Sequence, residues 1–328
     1  MRGAGWWAAV LVVGTPAAGW AYGEPDAAGL PNPQERLTHV FTNQIRQAPH
    51  DWPGWDTAKA TPEARRPLVM IPALYTAARF HSDDMAAQGC FQHESCDGTP
   101  FGARMERYFQ GPVGENIYTA RGISGAEHAL TGWMNSDGHR TNILRGQWDA
   151  LGTGFTDAGQ VYYVQDFGVA GAPIPPIPAA AYDLTPAGAL RLIANYYDPR
   201  SRAPAALDAV LSGTRVPLAQ VSGPAGNQTL AATTAVPTGC APLYFVARDA
   251  DGKETAFPTV GALLVGPTCT EGYTATRSGG PSGGDDNIID ANDPGGCRCA
   301  QPGGGAGWLA LLALALPGLR RRRSAHQR

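Results

Sequence analysis

Apolar residues recur three to four positions apart at Leu37, Val40, Phe41 and Ile45, which predicts an amphipathic helix. Asn32-Pro33-Gln34-Glu35 marks its start. Asn32 can cap, Pro33 suits the first helical position, and Glu35 can close a capping box. A Trp/Pro-rich loop follows through Asp51-Trp52-Pro53-Gly54-Trp55. A second helix is predicted after Pro72, with Leu74, Ala78, His81 and Met85 on its apolar face. A third runs from Ala126 to Asp137, with Ala126, Ala129, Leu130 and Trp133 on one side and Gly138 as its stop. Val161 to Phe167 is rich in β-branched and aromatic residues and reads as a strand. Helices and strands share residues 32–170, so this region is α+β. Beyond Gly168 the helical period disappears. Short apolar runs at Val216–Val221, Thr229–Ala235, Leu243–Arg248 and Ala262–Val265 alternate with Gly, Pro and Asn turns. Residues 182–274 therefore read as a small all-β, sandwich-like domain. Ala172-Pro173-Ile174-Pro175-Pro176-Ile177-Pro178 makes a proline-rich linker over 171–181.

The two ends of the chain are patterned differently. Met1-Arg2, a short apolar run and a small-residue exit at Ala21 read as an export signal over residues 1–21. A Gly/Ser/Asp-rich linker covers 275–296. The segment 297–328 carries Cys297-Arg298-Cys299, an apolar run over 308–319 and an arginine cluster at Arg320–Arg323. Excluding Arg2, Arg320–Arg323 and Arg328 moves the formal charge from −3 to −9, so the body is acidic. That balance, without a basic patch, argues against a nucleic-acid partner. Export also changes how the six cysteines read. An even count in an oxidising compartment favours disulfides Cys90–Cys96 and Cys240–Cys269, the latter tying the two sheets of the β-rich domain. No Cys-x-x-Cys pair with zinc-knuckle spacing occurs.

Several stretches resemble the CAP superfamily (cysteine-rich secretory protein, antigen 5, pathogenesis-related), particularly its short bacterial branch. They are His81-Ser82-Asp83-Asp84-Met85-Ala86, Phe91-Gln92-His93-Glu94-Ser95, Gly114-Glu115-Asn116-Ile117, Trp133 through Leu144, and Tyr163-Val164-Gln165-Asp166-Phe167-Gly168. Their order and spacing fit the family over most of 32–168. The resemblance implies an α-β-α sandwich and a cleft lined by two histidines and two acids. His93 and His139 match the histidines, and Glu115 the first acid. The second acid of animal and plant members falls three residues after Trp133, where this chain has Ser136. The tail resembles the MYXO-CTERM sorting tag of myxobacterial surface proteins, which implies Cys297 or Cys299 as the processing or anchoring residue. A single-pass anchor is the alternative, and membrane contact is expected through this tail only.

Two imidazoles and one carboxylate at His93, Glu115 and His139 would suit Zn2+ with an open position for water. Catalysis would also need a general base, with Glu115 and His139 as the residues to hand, and Ser136 leaves the second acid missing. The reading favoured is therefore a surface-displayed module that binds a lipid, a small molecule or an extracellular protein through His93, Glu115, Ser136 and His139. The alternatives are a zinc-dependent peptidase or esterase at the same pocket, and an adhesin acting through residues 182–274. His81 reads as a packed histidine behind the pocket, and Asn116 and Asn142 as side chains that hold loop backbone.

Overall fold

The computed structural model describes residues 25, 29–53, 63–122 and 125–277. The signal at 1–21, Cys297, Cys299 and the apolar run at 308–319 lie outside these residues. Among the described residues no helix is long and apolar enough to cross a membrane.

Among the described residues, five α-helices and four strands build the first region. They are α1 (Pro33–Gln47), β1 (Val69–Met70), α2 (Pro72–Gln88), α3 (Phe101–Met105), β2 (Val113–Ala120), α4 (Ala126–Asn135), α5 (Asp137–Leu144), β3 (Ala150–Asp157) and β4 (Val161–Gly168). The capping box of α1 forms as its sequence suggests. Glu35 N–H donates to Asn32 Oδ1 at 3.0 Å, and Asn32 N–H donates to a Glu35 carboxylate oxygen at 2.7 Å. The helix predicted from Ala126 to Asp137 ends at Asn135, and Gly138, expected as its stop, lies inside a second helix. Ser136 is extended at φ −102°, ψ 124°, and α5 starts directly after it. Asn135, Ser136 and Asp137 are short polar side chains that compete with helical backbone bonds, which explains a break there.

The sheet order is β1-β3-β4-β2, with β1 parallel to β3 and the other pairs antiparallel. Side chains of β4 alternate between its two faces. Val161, Tyr163 and Phe167 pack with α1, α4 and α5, while Tyr162 and Val164 pack with α2. Helices therefore cover both faces, in an α+β, three-layer arrangement. The approach of α2 to β3 is close enough to require glycine. A Cβ at Gly152 would lie 2.1 Å from the Leu74 carbonyl, and one at Gly154 would lie 2.2 Å from the Ala78 oxygen.

The second region contains ten strands, β5 (Ala180–Leu184), β6 (Leu190–Tyr197), β7 (Ala206–Leu211), β8 (Thr214–Pro217), β9 (Ala219–Ser222), β10 (Asn227–Thr234), β11 (Ala241–Arg248), β12 (Glu254–Phe257), β13 (Ala262–Val265) and β14 (Tyr273–Thr274). They form two sheets, β5-β6-β10-β9 and β14-β13-β11-β7-β8, with β12 also on β11. Leu192, Ala194 and Tyr196 of β6 join Leu207, Leu243, Phe245 and Leu263 in the core between the sheets. Cys240 and Cys269 are bonded, with Cα atoms 4.7 Å apart. They sit at the ends of β11 and β13, neighbouring strands with Ala241 opposite Val265. The bond therefore ties two strands of one sheet, not the two sheets to each other. The proline-rich stretch is packed rather than a free spacer, since Ile177, Ala179 and Ala180 are buried and β5 begins at Ala180.

The opposite face of β6 lies on α1. Ile193 joins the first region's core, Asn195 Nδ2 donates to the Val40 carbonyl at 3.2 Å, and Thr229 Oγ1 donates to Gln47 Oε1 at 2.6 Å. Helix α1 is thus covered by the first sheet on one side and by the β-sandwich on the other.

Candidate functional site

The site lies at the edge strand β2, where three elements meet. Glu115 is in β2, His93 is in the loop after α2, and His139 is in α5 on the other side of the strand. The His93 loop is held from several directions. Cys90 and Cys96 are bonded with Cα atoms 6.0 Å apart, and Cys96 N–H donates to Asp84 Oδ2 at 2.8 Å. Asn142 Nδ2 donates to the Glu115 carbonyl at 3.0 Å, and Asn116 Nδ2 donates to the His139 carbonyl at 3.1 Å. These two amides fasten α5 to β2 and so fix where His139 starts.

His93 Nδ1 lies 2.8 Å from Glu115 Oε1. The other Glu115 oxygen accepts from Arg104 Nη2. Arg104, from α3, is fully buried. Its Nη1 also donates to the His93 carbonyl at 2.8 Å and to His81 Nδ1 at 3.0 Å. His81 Nε2 is 3.0 Å from the Gln92 carbonyl. A ring that accepts from an arginine at Nδ1 and donates to a carbonyl at Nε2 is neutral. Burial, then the Arg104 charge, pushes its pKa down to about 3. His81 is therefore a packed histidine behind the site.

The charges here are dominated by burial. Glu115 has a side chain 1% exposed, and burial raises its pKa to about 8 against the pull of Arg104. Asp166 of β4 stands directly opposite Glu115 in the register and is completely buried. Burial, then the neighbouring Glu115 charge, holds its pKa well above the usual carboxylate range. His93, with a half-exposed side chain, and His139 are both held below the ordinary imidazole value, burial being the largest cause for each. At neutral pH the site presents two uncharged imidazoles above a buried acid pair.

His93 and Glu115 come together as the sequence suggests, and His139 lies near enough for its pKa to be lowered by His93. Ser136 sits between α4 and α5. Its backbone N–H donates to Trp133 O at 3.1 Å and its carbonyl accepts from Arg140 N–H at 2.9 Å. Among the described residues no hydrogen bond joins its side chain to the cluster. Both Glu115 oxygens are already engaged, one by His93 itself, and among the described residues no group of three or more His, Cys, Asp or Glu side chains is arranged to hold a metal ion. Two members escaped the sequence reading, Arg104 and Asp166. The signal for Asp166 was available in β4, where Gln165-Asp166 interrupts an otherwise apolar strand. A buried acid in such a strand needs a partner.

Residues 41–167 match the family model described as "CAP: Cysteine-rich secretory protein family". Two curated proteins of Bacillus subtilis (strain 168) are similar. The "Uncharacterized protein YkwD" is 34% identical over 115 residues, which are 34% of this chain and 43% of that protein. The "Uncharacterized membrane protein YlbC" is 35% identical over 92 residues, 26% of this chain and 24% of that protein. The chain thus spans less than half the length of these relatives. Among solved structures, an extracellular protein containing a SCP domain from Bacillus anthracis str. Ames is 30% identical, covers 42% of this chain and 40% of its own, and superposes with a TM-score of 0.32. An outer surface protein from Borrelia burgdorferi is 20% identical, covers 32% of this chain and 78% of its own, and gives a TM-score of 0.29. Within this chain, residues 41–167 are thus similar to the cysteine-rich secretory protein (CAP) family.

Proposed function

We propose that the protein is exported and acts as a binding module, taking its ligand at the β2 edge through the outward faces of His93 and His139. One observation carries this reading. Glu115 is enclosed and held by His93 and Arg104, so its carboxylate orients an imidazole instead of facing a substrate. A hydrolase would need a general base within reach of the reacting proton. The zinc-dependent alternative would require Glu115 to leave both partners. Export is supported by the apolar N-terminal segment and by two disulfides of the kind formed in oxidising compartments. Cys297 or Cys299 as a processing residue, and the tail as the anchor, complete the reading from sequence.

A screen of a fragment library on the full chain, followed by amide NMR, tests it. Fragments that shift the signals around His93 and His139 are expected to lose binding in His93→Ala/His139→Ala, and neither protein should turn over peptide or ester substrates. Hydrolysis by the wild type that vanishes in the double variant would overturn the reading in favour of an enzyme.

A second reading places binding along the β-sandwich. It is favoured by an apolar cleft of ≈ 590 Å³ between α1 and the sandwich, lined by Leu37, Tyr182, Leu184, Leu190 and Leu264 among others. That volume falls within the range of small-molecule sites. None of the cleft's lining residues belongs to the His93 cluster. Fragments that compete with each other and lose binding in Leu184→Arg, but not in the histidine variant, would support it.

A further inference from the structure

The family resemblance leads one to expect a second acid after Trp133, and Ser136 stands there. We propose that Asp166 supplies this second acid from the neighbouring strand, as a positioning residue that donates a carboxylic acid O–H to Glu115 and so holds the carboxylate that orients His93. It deepens the binding reading above, but its test needs no ligand, so the two can fail separately.

The geometry is the basis. The register of β2 on β4 sets Glu115 opposite Asp166, and such cross-strand partners have Cβ atoms about 4.5–5.5 Å apart. Both share the face that packs against α2 and the His93 loop, because Ile117 and Val164, one residue pair along on the same face, lie in that core. On its other side Asp166 is paired with Gly152, which has no side chain. The groups around the pair are Arg104 from α3, His81 from α2, and His93 and Glu94 from the loop. His81 is neutral, and Arg104 is committed to Glu115. With both acids ionised, neither Asp166 oxygen has a hydrogen-bond donor among the described residues. Two carboxylates would then share one guanidinium in a dry site, where like charges are costly and unpaired charges more so. One proton removes both problems. Glu115 already accepts from His93 and Arg104, whereas Asp166 accepts from nothing, so the proton belongs on Asp166 and the charge on Glu115. The buried cluster is then neutral overall, with one carboxylate balanced by one guanidinium. No bond other than this hydrogen bond is made or broken.

Carboxyl 13C NMR of the full chain with labelled aspartate reads the state of Asp166 directly. One aspartate signal should keep the position of a protonated acid well above the ordinary aspartate pKa of about 3.9, and it should be missing in Asp166→Asn. In Glu115→Gln, where the opposing charge is gone and Arg104 remains, the same signal should titrate at lower pH. Asparagine can still donate to Glu115, so Asp166→Asn should leave the His93 ring spectrum as in the wild type, while Asp166→Ala should disturb it. If every aspartate signal titrates near the ordinary value, or if the protonated signal survives Asp166→Asn, the proposal is wrong. The wild-type titration alone decides this should a variant fail to fold.

Discussion

Two buried glutamates in this protein are each paired with an arginine, and they do different work. Glu35, at the start of α1, receives Asn32 N–H at 2.7 Å, Tyr75 O–H at 3.1 Å, Phe155 N–H at 3.3 Å, and Arg79 through Nη2 at 2.5 Å and Nε at 3.1 Å. Its donors come from four points of the fold, and none of them is an imidazole. Glu115 has Arg104 on one oxygen, a half-exposed histidine on the other, and a second acid behind it. A carboxylate saturated by backbone and arginine fastens a helix to a sheet. One that ends on a solvent-facing ring hands the organisation of the interior to the surface. Burial raises the pKa of both, to about 7 at Glu35 and about 8 at Glu115, so titration alone does not tell them apart. What separates them is the last atom in each network.

The strongest way to break this comparison is to remove each arginine. Arg104→Met leaves Glu115 and Asp166 enclosed without a cation, and should lower unfolding stability by about 3–5 kcal/mol in urea titrations. Arg79→Met should cost about 1–2 kcal/mol, because Arg79 is 28% exposed and Glu35 keeps its N–H donors. Equal losses would mean that the two sites are built alike.

A pH series sharpens the contrast at a smaller scale. Both folded-state values lie above the unfolded value for glutamate, so the proton held at each site contributes stability that is complete below about pH 4.3. That contribution fades as pH rises, through about 7 for Glu35 and about 8 for the proton that Glu115 shares with Asp166. Stability should therefore decline from the acidic toward the alkaline side of neutrality. Glu35→Gln should remove the lower part of that decline and Glu115→Gln the upper. A stability that rises across the same window would contradict these shifts. Smaller still, His93→Ala should cost about 1 kcal/mol, since it takes a donor from the buried Glu115 carboxylate, and His139→Ala, partly exposed and outside the core, only about 0.5 kcal/mol. Their cost should appear in binding, measured on the fragments described above.

Much of the first region could be read from periodicity and caps. Asn32, Pro33 and Glu35 mark α1, Pro72 opens α2, and the strand at Val161–Phe167 follows from its residue types. The second region was legible only in part. Ala262–Val265 appears as predicted, but β5 and β6 escaped notice because one face of β6 serves the sandwich and the other serves α1. A strand buried on both faces loses the alternation that reveals strands. The seam is also written in polar residues, Asn195, Thr229 and Gln47, which carry no hydrophobic signal. At the site, His93 and Glu115 were visible through the family pattern. Arg104 was not, because arginine is ordinarily a surface residue and its burial follows from three partners contributed by other segments. Asp166 lay inside a recognised motif, but its role depends on a register that sequence alone does not state.

The long-range 1H–15N NMR spectrum of the imidazole rings tests the central claim, that Glu115 orients a surface histidine while Glu35 only secures the fold. In the wild type His93 should be the Nδ1–H tautomer, donating to Glu115 and leaving Nε2 outward. In Glu115→Gln the single amide oxygen should go to Arg104, turning the NH2 toward His93 and inverting its tautomer. In Glu35→Gln the His93 spectrum should stay unchanged. A wild-type His93 protonated on Nε2, or a His93 signal that moves as much in Glu35→Gln as in Glu115→Gln, would contradict the account.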